Sequence, residues 1–368
     1  MSLQIVNLTT ADAAACGISL SLETGSSGVL LDTAGGASEA LFREIAGENP
    51  AAAGRSATAG SIRVNGVEQT HLIREHRAVA RIRADCAQAS NKRLVDCVRQ
   101  ALKDAGVPRN LREARAKEGL DAVGLGPVGS QRLSGDVAAV DRWRLSAAVA
   151  IGTRKPVWLV DEPAGNLPPE RRAEWLRWLL ALARKLRRTV LARTKTPQVA
   201  FATGGWLGVL ACRRLVQSGS SIHIYRRPVS VCVAEATGPS FMAKGTFSNA
   251  GAGEAIVSTA AGEFRGALAD ATADPEPGTA ATVITRPECW HLDDFPPEEN
   301  CLRVRIVATH HEGPTTTYDA MTDTGTRLTV TALTGTQPPT PGAETFAWIA
   351  PEDVTVVVES QAVETGSP

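Results

Sequence analysis

The chain has 368 residues, a length that usually divides into two domains, because single hydrophobic cores seldom grow beyond about 250–300 residues. With 43% hydrophobic and 21% charged residues, the composition excludes an intrinsically disordered protein. The seven cysteines form no C-x-x-C pair, so the sequence predicts neither a disulfide framework nor a metal site. It has no run of about 18 apolar residues and no basic-then-apolar leader, which predicts a cytoplasmic protein without a membrane span.

The formal net charge of zero conceals two oppositely charged halves. From Val229 onward the chain carries 6 Lys/Arg and 19 Asp/Glu, a net charge of −13, so residues 1–228 carry +13. This charge step predicts two modules, 1–228 and 229–368. The basic residues of the first module are spread along the chain without interleaved aromatics, so no nucleic-acid partner is predicted.

The first module alternates patterns typical of strands and of helices. Apolar alternation or short apolar runs predict strands at 3–8, 18–22, 28–31, 157–162 and 189–192. Helical spacing or composition predicts helices at 38–45, within 87–116, at 142–151 and at 170–188. A strand, a glycine turn and a helix in the first 45 residues follow the order of phosphate-binding folds, and the alternation predicts an α/β module with a mostly parallel sheet.

The second module is rich in Thr, Val and Gly and has repeated Pro/Gly turn signals. Short strands are predicted at 255–259, 281–285, 302–307, 327–331 and 354–358. This pattern predicts a small all-β module, most simply a barrel. His310 and His311 are adjacent on a predicted strand and face opposite sides, so we predict no metal site there.

The sharpest local signal is an apolar strand that ends in Asp161 and Glu162. Two carboxylates at the carboxyl edge of a parallel sheet lie where open α/β folds bind ligands. The first can hold Mg²⁺ and the second can polarise a water for attack on a phosphate. The alternative is a solvated acidic turn, and the strand alone does not distinguish the two.

Several segments, in their order and spacing, resemble the ATP-binding subunit of ABC importers, in the branch that serves sugars, polyamines and iron. The matching segments are 3–8, 41–47, 123–125, 144–163, 166–167, 214–219 and 285–288. The resemblance covers almost the whole chain. It implies a P-loop NTPase-like α/β ABC cassette, with a RecA-like core and a helical subdomain at about 86–150, followed by an all-β, OB-like TOBE barrel. The family's cofactors are ATP and Mg²⁺.

The resemblance places the phosphate loop at residues 32–40, where this chain departs from the family. Gly35 and Gly36 remain, but alone they form only a turn. The positions of the first glycine, the last glycine, the phosphate-binding lysine and the magnesium-binding hydroxyl hold Asp32, Ala37, Ser38 and Glu39. Without the lysine, a charge-assisted contact of about 1.5–3 kcal/mol is lost, and the acids repel a polyphosphate.

Other family positions are also altered. The glutamine of the Q-loop falls at Ala84, the switch histidine at Lys195, and the aspartate that follows Asn166-Leu167 at Pro168. The aromatic residue that stacks on adenine, expected near 10–12, is absent. Only Asp161 at the magnesium position and Glu162 at the position of the catalytic base match the family.

The signature motif has two alternative registers. Leu133-Ser134-Gly135-Asp136 looks like a shortened signature, in which Ser134 and Gly135 would touch ATP held by a partner subunit. Counting back from Arg144 places a damaged signature at 137–141 instead. We favour the second register, because the first needs one inserted helical turn.

The sequence therefore predicts a degenerate cassette subunit of a bacterial importer, peripheral to the cytoplasmic face of the inner membrane. Its expected partners are a paralogous ATPase subunit in a heterodimer, two transmembrane permease subunits and, indirectly, a solute-binding protein. One alternative is a divergent but active ATPase with a substitute cation, for which Arg43 is the nearest basic residue to the loop. Another is a non-catalytic binding or regulatory module that uses its barrel.

Overall fold

The computed structural model describes residues 2–48, 59–83, 92–129, 138–162, 164–249, 254–335 and 339–358. The chain divides into two compact units, Met1–Ile222 and His223–Pro368. The charge step in the sequence led us to expect the division near residue 228. In the described part of the chain, no helix is both long and apolar enough to cross a membrane.

The first unit contains strands and helices in alternation. Its strands are β1 (Leu3–Thr9), β2 (Ile18–Leu22), β3 (Ser27–Leu31), β4 (Ala59–Val64), β5 (Val67–Glu68), β6 (Val79–Ile82), β7 (Val157–Asp161), β8 (Thr189–Thr194), β9 (Trp206–Ala211) and β10 (Arg214–Ser220). Its helices are α1 (Gly36–Ala46), α2 (Leu94–Asp104), α3 (Arg109–Ala122), α4 (Gly126–Gly129), α5 (Ala139–Thr153), α6 (Pro169–Lys185) and α7 (Pro197–Phe201). This confirms the predicted α/β alternation.

The main sheet of this unit has the strand order β10-β9-β3-β8-β7-β6. All neighbours from β9 to β6 run parallel, and only β10 is antiparallel. Buried apolar side chains fill β7 because a parallel sheet is covered on both faces. The carboxyl ends of β3, β7 and β8 consequently meet at one edge of the sheet.

A tight turn leads from β3 into α1. Gly35 has φ of 82°, a left-handed conformation that glycine adopts without steric cost, and the helix ends at Gly47, also left-handed. Leu41, Phe42 and Ile45 share the buried face of α1 and pack in the core with the antiparallel sheet β2-β1-β4-β5. Packing of this face holds the start of α1 against the ends of the parallel strands.

Helices α2, α3 and α5 pack on one another. Leu94, Val98 and Leu102 form the buried face of α2. Gly119 of α3 lies so close to α5 that a methyl group there would collide with the carbonyl oxygen of Ala148. These helices occupy the stretch that the sequence predicted as helical.

The second unit is rich in β-structure. After α8 (Ser221–Arg226), which crosses the division, and α9 (Val231–Thr237), its strands are β11 (Phe241–Asn249), β12 (Glu254–Thr259), β13 (Glu263–Leu268), β14 (Ala280–Thr285), β15 (Trp290–Asp293), β16 (Cys301–His311), β17 (Thr315–Thr322), β18 (Arg327–Leu333), β19 (Glu344–Ile349) and β20 (Thr355–Val358). β11-β12-β13-β20-β14 form a closed barrel, and β15-β19-β16-β17-β18 form a second sheet. The five strands predicted from the sequence coincide with β12, β14, β16, β18 and β20. The expectation of a purely all-β module was incomplete, because two short helices precede the strands.

Arg286 fastens these helices to the barrel. Its buried guanidinium donates hydrogen bonds to the carbonyl oxygens of Tyr225, Ala234 and Gly238 at 3.0–3.2 Å and stacks on the Tyr225 ring. It also donates to the hydroxyl of Thr237 at 2.7 Å. Arg286 thus satisfies backbone acceptors at the end of α9 from the end of β14.

Candidate functional site

The turn between β3 and α1 is occupied by a side chain of the protein itself. Asp32 is 3% exposed, and its Oδ1 accepts the backbone N–H of Gly35 at 2.8 Å. Its Oδ2 accepts the backbone N–H of Ser38, also at 2.8 Å. Backbone N–H groups at such a turn are the groups that bind phosphate in phosphate loops. Here they are bound to the Asp32 carboxylate.

Lys195 lies over the same turn. It directly follows β8, which neighbours β3 in the sheet, and a methyl group on Gly35 would collide with its Cε and Nζ. The expectation that Arg43 is the basic residue nearest the loop was therefore wrong. Sheet pairing brings Lys195 closer, whereas Arg43 pairs with Glu39 at 3.3 Å on the same helix.

Beside the loop, three acids and two arginines form a continuous network, which we call the ion cluster. Its members are Glu39, Glu48, Arg81, Asp161 and Arg193. Asp161 is at the centre: its Oδ1 accepts from Arg193 Nε at 2.6 Å, and its Oδ2 accepts from Arg81 Nε at 2.7 Å. Both oxygens at the predicted magnesium position therefore bind guanidinium groups.

The outer members close the network. Arg193 also pairs with Glu39, and Arg81 pairs with Glu48 and, at 3.7 Å, with Glu39. The side chains of Arg81 and Asp161 are only 5% and 7% exposed. Buried charges are tolerated only when they are paired and hydrogen-bonded, as they are here.

The network stabilises the charged forms of its members. Burial raises the pKa of Glu39, but the positive charges of Arg193, Arg81 and Arg43 outweigh it, and the net pKa lies below the usual value. For Arg81, burial lowers the pKa, while Asp161 and Glu48 raise it by a larger amount. Glu39 is therefore a carboxylate at neutral pH and cannot serve as a neutral hydroxyl-like ligand.

Glu162 differs from these acids. It adopts a left-handed backbone with φ of 42°, an uncommon conformation for a residue with a Cβ. Its Oε2 accepts from the Thr194 hydroxyl at 3.4 Å, and its Oε1 is buried without a hydrogen-bond partner among the described residues. Burial raises the pKa of Glu162, although Arg193 and Lys195 oppose the increase.

The segment after Glu162 is held by side-chain hydrogen bonds. Asn166 Oδ1 accepts from Trp143 Nε1 at 3.3 Å, and Pro168 precedes the first turn of α6. Arg172 donates from Nε to the Leu167 carbonyl at 2.6 Å and from Nη1 to the Thr196 hydroxyl at 3.3 Å. Arg172 thereby connects this segment with the one after Lys195.

Several predicted positions lie outside the described residues: Ala84 of the Q-loop, and Ser134 and Gly135 of the first signature register. Of the second register, Asp141 lies in the first turn of α5 and pairs with Arg144 at 3.3 Å. The residues that are brought together are Gly35, Gly36, Ser38, Glu39, Asp161, Glu162 and Lys195.

Sequence reasoning missed the two arginines that complete the site. Arg81 interrupts the buried strand β6, and Arg193 interrupts the buried strand β8. A parallel sheet is covered on both faces, so a charged residue inside one of its strands needs a buried partner of opposite charge. Each arginine within an apolar run could therefore have indicated a buried ion pair.

The fold and the sequence have recognisable counterparts. Two solved structures share the fold: a nucleotide-free ATP-binding cassette from an ABC transporter (TM-score 0.54, 15% identity, covering 65% of this chain and 99% of that one) and cbiO1 from Clostridium perfringens, part of the ABC transporter complex cbiONQ (TM-score 0.51, 16% identity, covering 61% and 90%). The chain therefore contains the fold of an ATP-binding cassette, which corresponds to the first unit with its parallel sheet.

Relatives in sequence are named for iron(III) import. The chain is 28% identical over 244 residues to the Fe(3+) ions import ATP-binding protein FbpC of Brucella melitensis, covering 66% of this chain and 67% of that protein. It is 28% identical over 222 residues to the Fe(3+) ions import ATP-binding protein FbpC 1 of Rhizobium meliloti, covering 60% and 61%. No family model matches the chain.

The residues present do not fit Mg-ATP bound in the usual manner of that fold. The Asp32 carboxylate accepts hydrogen bonds from two N–H groups of the turn. The Asp161 carboxylate binds two guanidinium groups instead of a metal ion. Displacing them would leave buried charges without partners, at a cost of several kcal/mol.

Proposed function

We propose that this chain is a cassette subunit of a bacterial ABC importer that supports transport without hydrolysing ATP itself. The cassette fold and the similarity to import ATP-binding proteins support a role in import. In this proposal the chain is peripheral to the cytoplasmic face of the membrane and couples to two transmembrane permease subunits. A solute-binding protein delivers solute to the assembly.

The proposed loss of hydrolysis rests on one observation: side chains of the chain itself occupy the positions of the nucleotide's phosphate and metal. The Asp32 carboxylate takes the position of a phosphate, and the guanidiniums of Arg81 and Arg193 take the position of the metal. Charge balance in the site is thus reached without a ligand. We infer that a paralogous, intact cassette pairs with this chain and performs the hydrolysis.

The experiment is an ATPase assay on the purified chain and on Glu162→Gln, alone and after co-expression with a candidate intact cassette subunit from the same genome. We expect the chain alone to show no turnover above the Glu162→Gln background. We also expect co-purification with the intact subunit, and activity of the pair that is insensitive to Glu162→Gln in this chain. Turnover by the chain alone that Glu162→Gln abolishes would contradict the proposal.

A second candidate, a divergent active ATPase, is favoured by two observations. Glu162 keeps the position of the catalytic base, and Lys195 places an ammonium over the turn in place of the missing lysine. If the chain is an active ATPase, Lys195→Met should abolish nucleotide binding. If it is the non-hydrolysing subunit, Lys195→Met should change neither nucleotide binding nor turnover.

A further inference from the structure

A groove between α2 and the start of α3 carries an unbalanced positive charge. Among the described residues, five basic and two acidic side chains line a volume of about 640 Å³. Both acids are paired, because Arg99 contacts Asp96 at 2.6 Å and Glu113 at 3.1 Å, and Lys117 contacts Glu113 at 3.4 Å. The remaining cations therefore determine the electrostatic potential of the groove.

Three of these cations converge from different segments. Lys92 precedes α2, Lys103 lies in the last turn of α2, and Arg109 begins α3. All three are exposed, and none forms an ion pair with a residue that the structure describes. Together with the other basic side chains of the lining, they give the groove a positive potential that attracts an external polyanion.

The chemistry of the lining restricts the kind of polyanion. No aromatic side chain lines the groove among the described residues, so it offers no surface on which nucleic-acid bases stack. The three cations are on long, exposed side chains without buried donors beside them, an arrangement poorly suited to holding one small phosphate compound. A surface that presents many phosphates can contact every one of these cations independently.

We propose that this groove is a contact site for anionic phospholipid headgroups at the membrane surface. The assignment rests on the proposed function only for the presence of a bilayer beside the chain. Lys92, Lys103 and Arg109 supply the attraction, and Arg112, whose Nε is held by the Val107 carbonyl at 2.7 Å, lies beside them in the lining. The contact is electrostatic, so it weakens as salt rises.

The test is co-sedimentation of the full chain with vesicles of phosphatidylcholine alone and of phosphatidylcholine mixed with phosphatidylglycerol. We expect binding to the mixed vesicles only, reduced by salt. The combined variant Lys92→Glu, Lys103→Glu, Arg109→Glu should lower the partition coefficient by roughly a hundredfold. The matched control reverses three exposed charges on α6, Arg177→Glu, Arg184→Glu and Lys185→Glu, and should bind like the wild type.

Circular dichroism checks the fold of each variant, and the milder set Lys92→Gln, Lys103→Gln, Arg109→Gln replaces the reversal if it fails to fold. Absence of wild-type binding, equal binding to neutral vesicles, or an equal loss in the α6 control would overturn the proposal. Binding of soluble tripolyphosphate in the groove without vesicle binding would also overturn it, by assigning the groove to a free polyanion. The assay contains neither nucleotide nor permease, so its failure is distinguishable from failure of the proposed function.

Discussion

Asp32 lies where the chain leaves β3 and turns into α1, and its two carboxylate oxygens take two backbone N–H groups. A phosphate loop keeps such groups free for a ligand by having glycine at this position. In the proposed function, Asp32 supplies a permanent anion at the turn in place of a bound phosphate. The same carboxylate holds the start of α1 through the amides of Gly35 and Ser38.

Asp32→Ala tests that role. We expect the first unit to lose about 2 kcal/mol of unfolding free energy, because two charge-assisted hydrogen bonds disappear, one of them to the Ser38 amide in the first turn of α1. Asp32→Asn retains one acceptor and should lose less. The measurement is urea denaturation together with amide exchange of Gly35 and Ser38, which should accelerate in Asp32→Ala. Unchanged exchange of these two amides would refute the contact.

Glu162→Gln tests the buried, poorly satisfied carboxyl. Since burial raises the pKa of Glu162 above its ordinary value of 4.5, the ionised form destabilises the folded state. The ionised carboxylate therefore destabilises the folded state at neutral pH. This destabilisation disappears as the pH falls through the raised pKa of the folded state. We expect Glu162→Gln to raise the denaturation midpoint at pH 7.5 and to have no such effect at pH 4. Glu170→Gln, an exposed change on α6, is the control and should show no pH-dependent gain.

Among the elements, strands β3, β7 and β8 and helices α1, α5 and α6 were predictable, because apolar runs and helical spacing report burial directly. The parallel strands β6 and β9 were missed, as were β11, β13, β15, β17 and β19 of the second unit. Strands β6 and β15 have only four residues each, too few for a periodic pattern, and β17 begins with three threonines. The positions of Asp161 and Glu162 followed from the end of an apolar strand. Their partners did not, because Arg81 and Arg193 reach the site only through sheet pairing, with Asp161 directly opposite Arg193.

Arg193→Met tests the ion cluster as a feature of β7 and β8. Removing this guanidinium leaves the buried Asp161 and Glu39 with one arginine fewer, which should cost about 3 kcal/mol of unfolding free energy. Arg177→Met, an exposed position on α6, should change stability by less than about 0.5 kcal/mol. Urea denaturation measures both, and equal effects of the two substitutions would show that the cluster does not stabilise the fold.

Arg286→Ala tests the attachment of α8 and α9 to the barrel. The substitution removes the buried guanidinium hydrogen bonds to the carbonyls of Tyr225, Ala234 and Gly238, so we expect a loss of about 3 kcal/mol from the second unit. The control is Arg303→Ala, which breaks an exposed pair with Glu344 and should cost at most about 1 kcal/mol. Thermal denaturation of the full chain measures both effects. Unchanged stability of Arg286→Ala would contradict the role of Arg286 in holding these helices.

For the whole molecule, the zero net charge results from a basic cassette and an acidic, β-rich unit. The acids of the ion cluster belong to the basic half, where Arg81 and Arg193 pair with them, and Asp32 is held by backbone N–H groups. In the proposed function, these internal contacts balance the charges of the site without a bound nucleotide.

The most direct measurement is a calorimetric titration of the purified chain with Mg-ATP, beside a variant whose loop is restored. The restored variant combines Asp32→Gly, Ala37→Gly, Ser38→Lys and Glu39→Thr. We predict that the wild type gives no binding at concentrations that saturate the restored variant, because Asp32 already accepts the backbone N–H groups of the turn and Glu39 adds a negative charge beside it. Micromolar binding by the wild type, abolished by Asp161→Asn, would contradict the account.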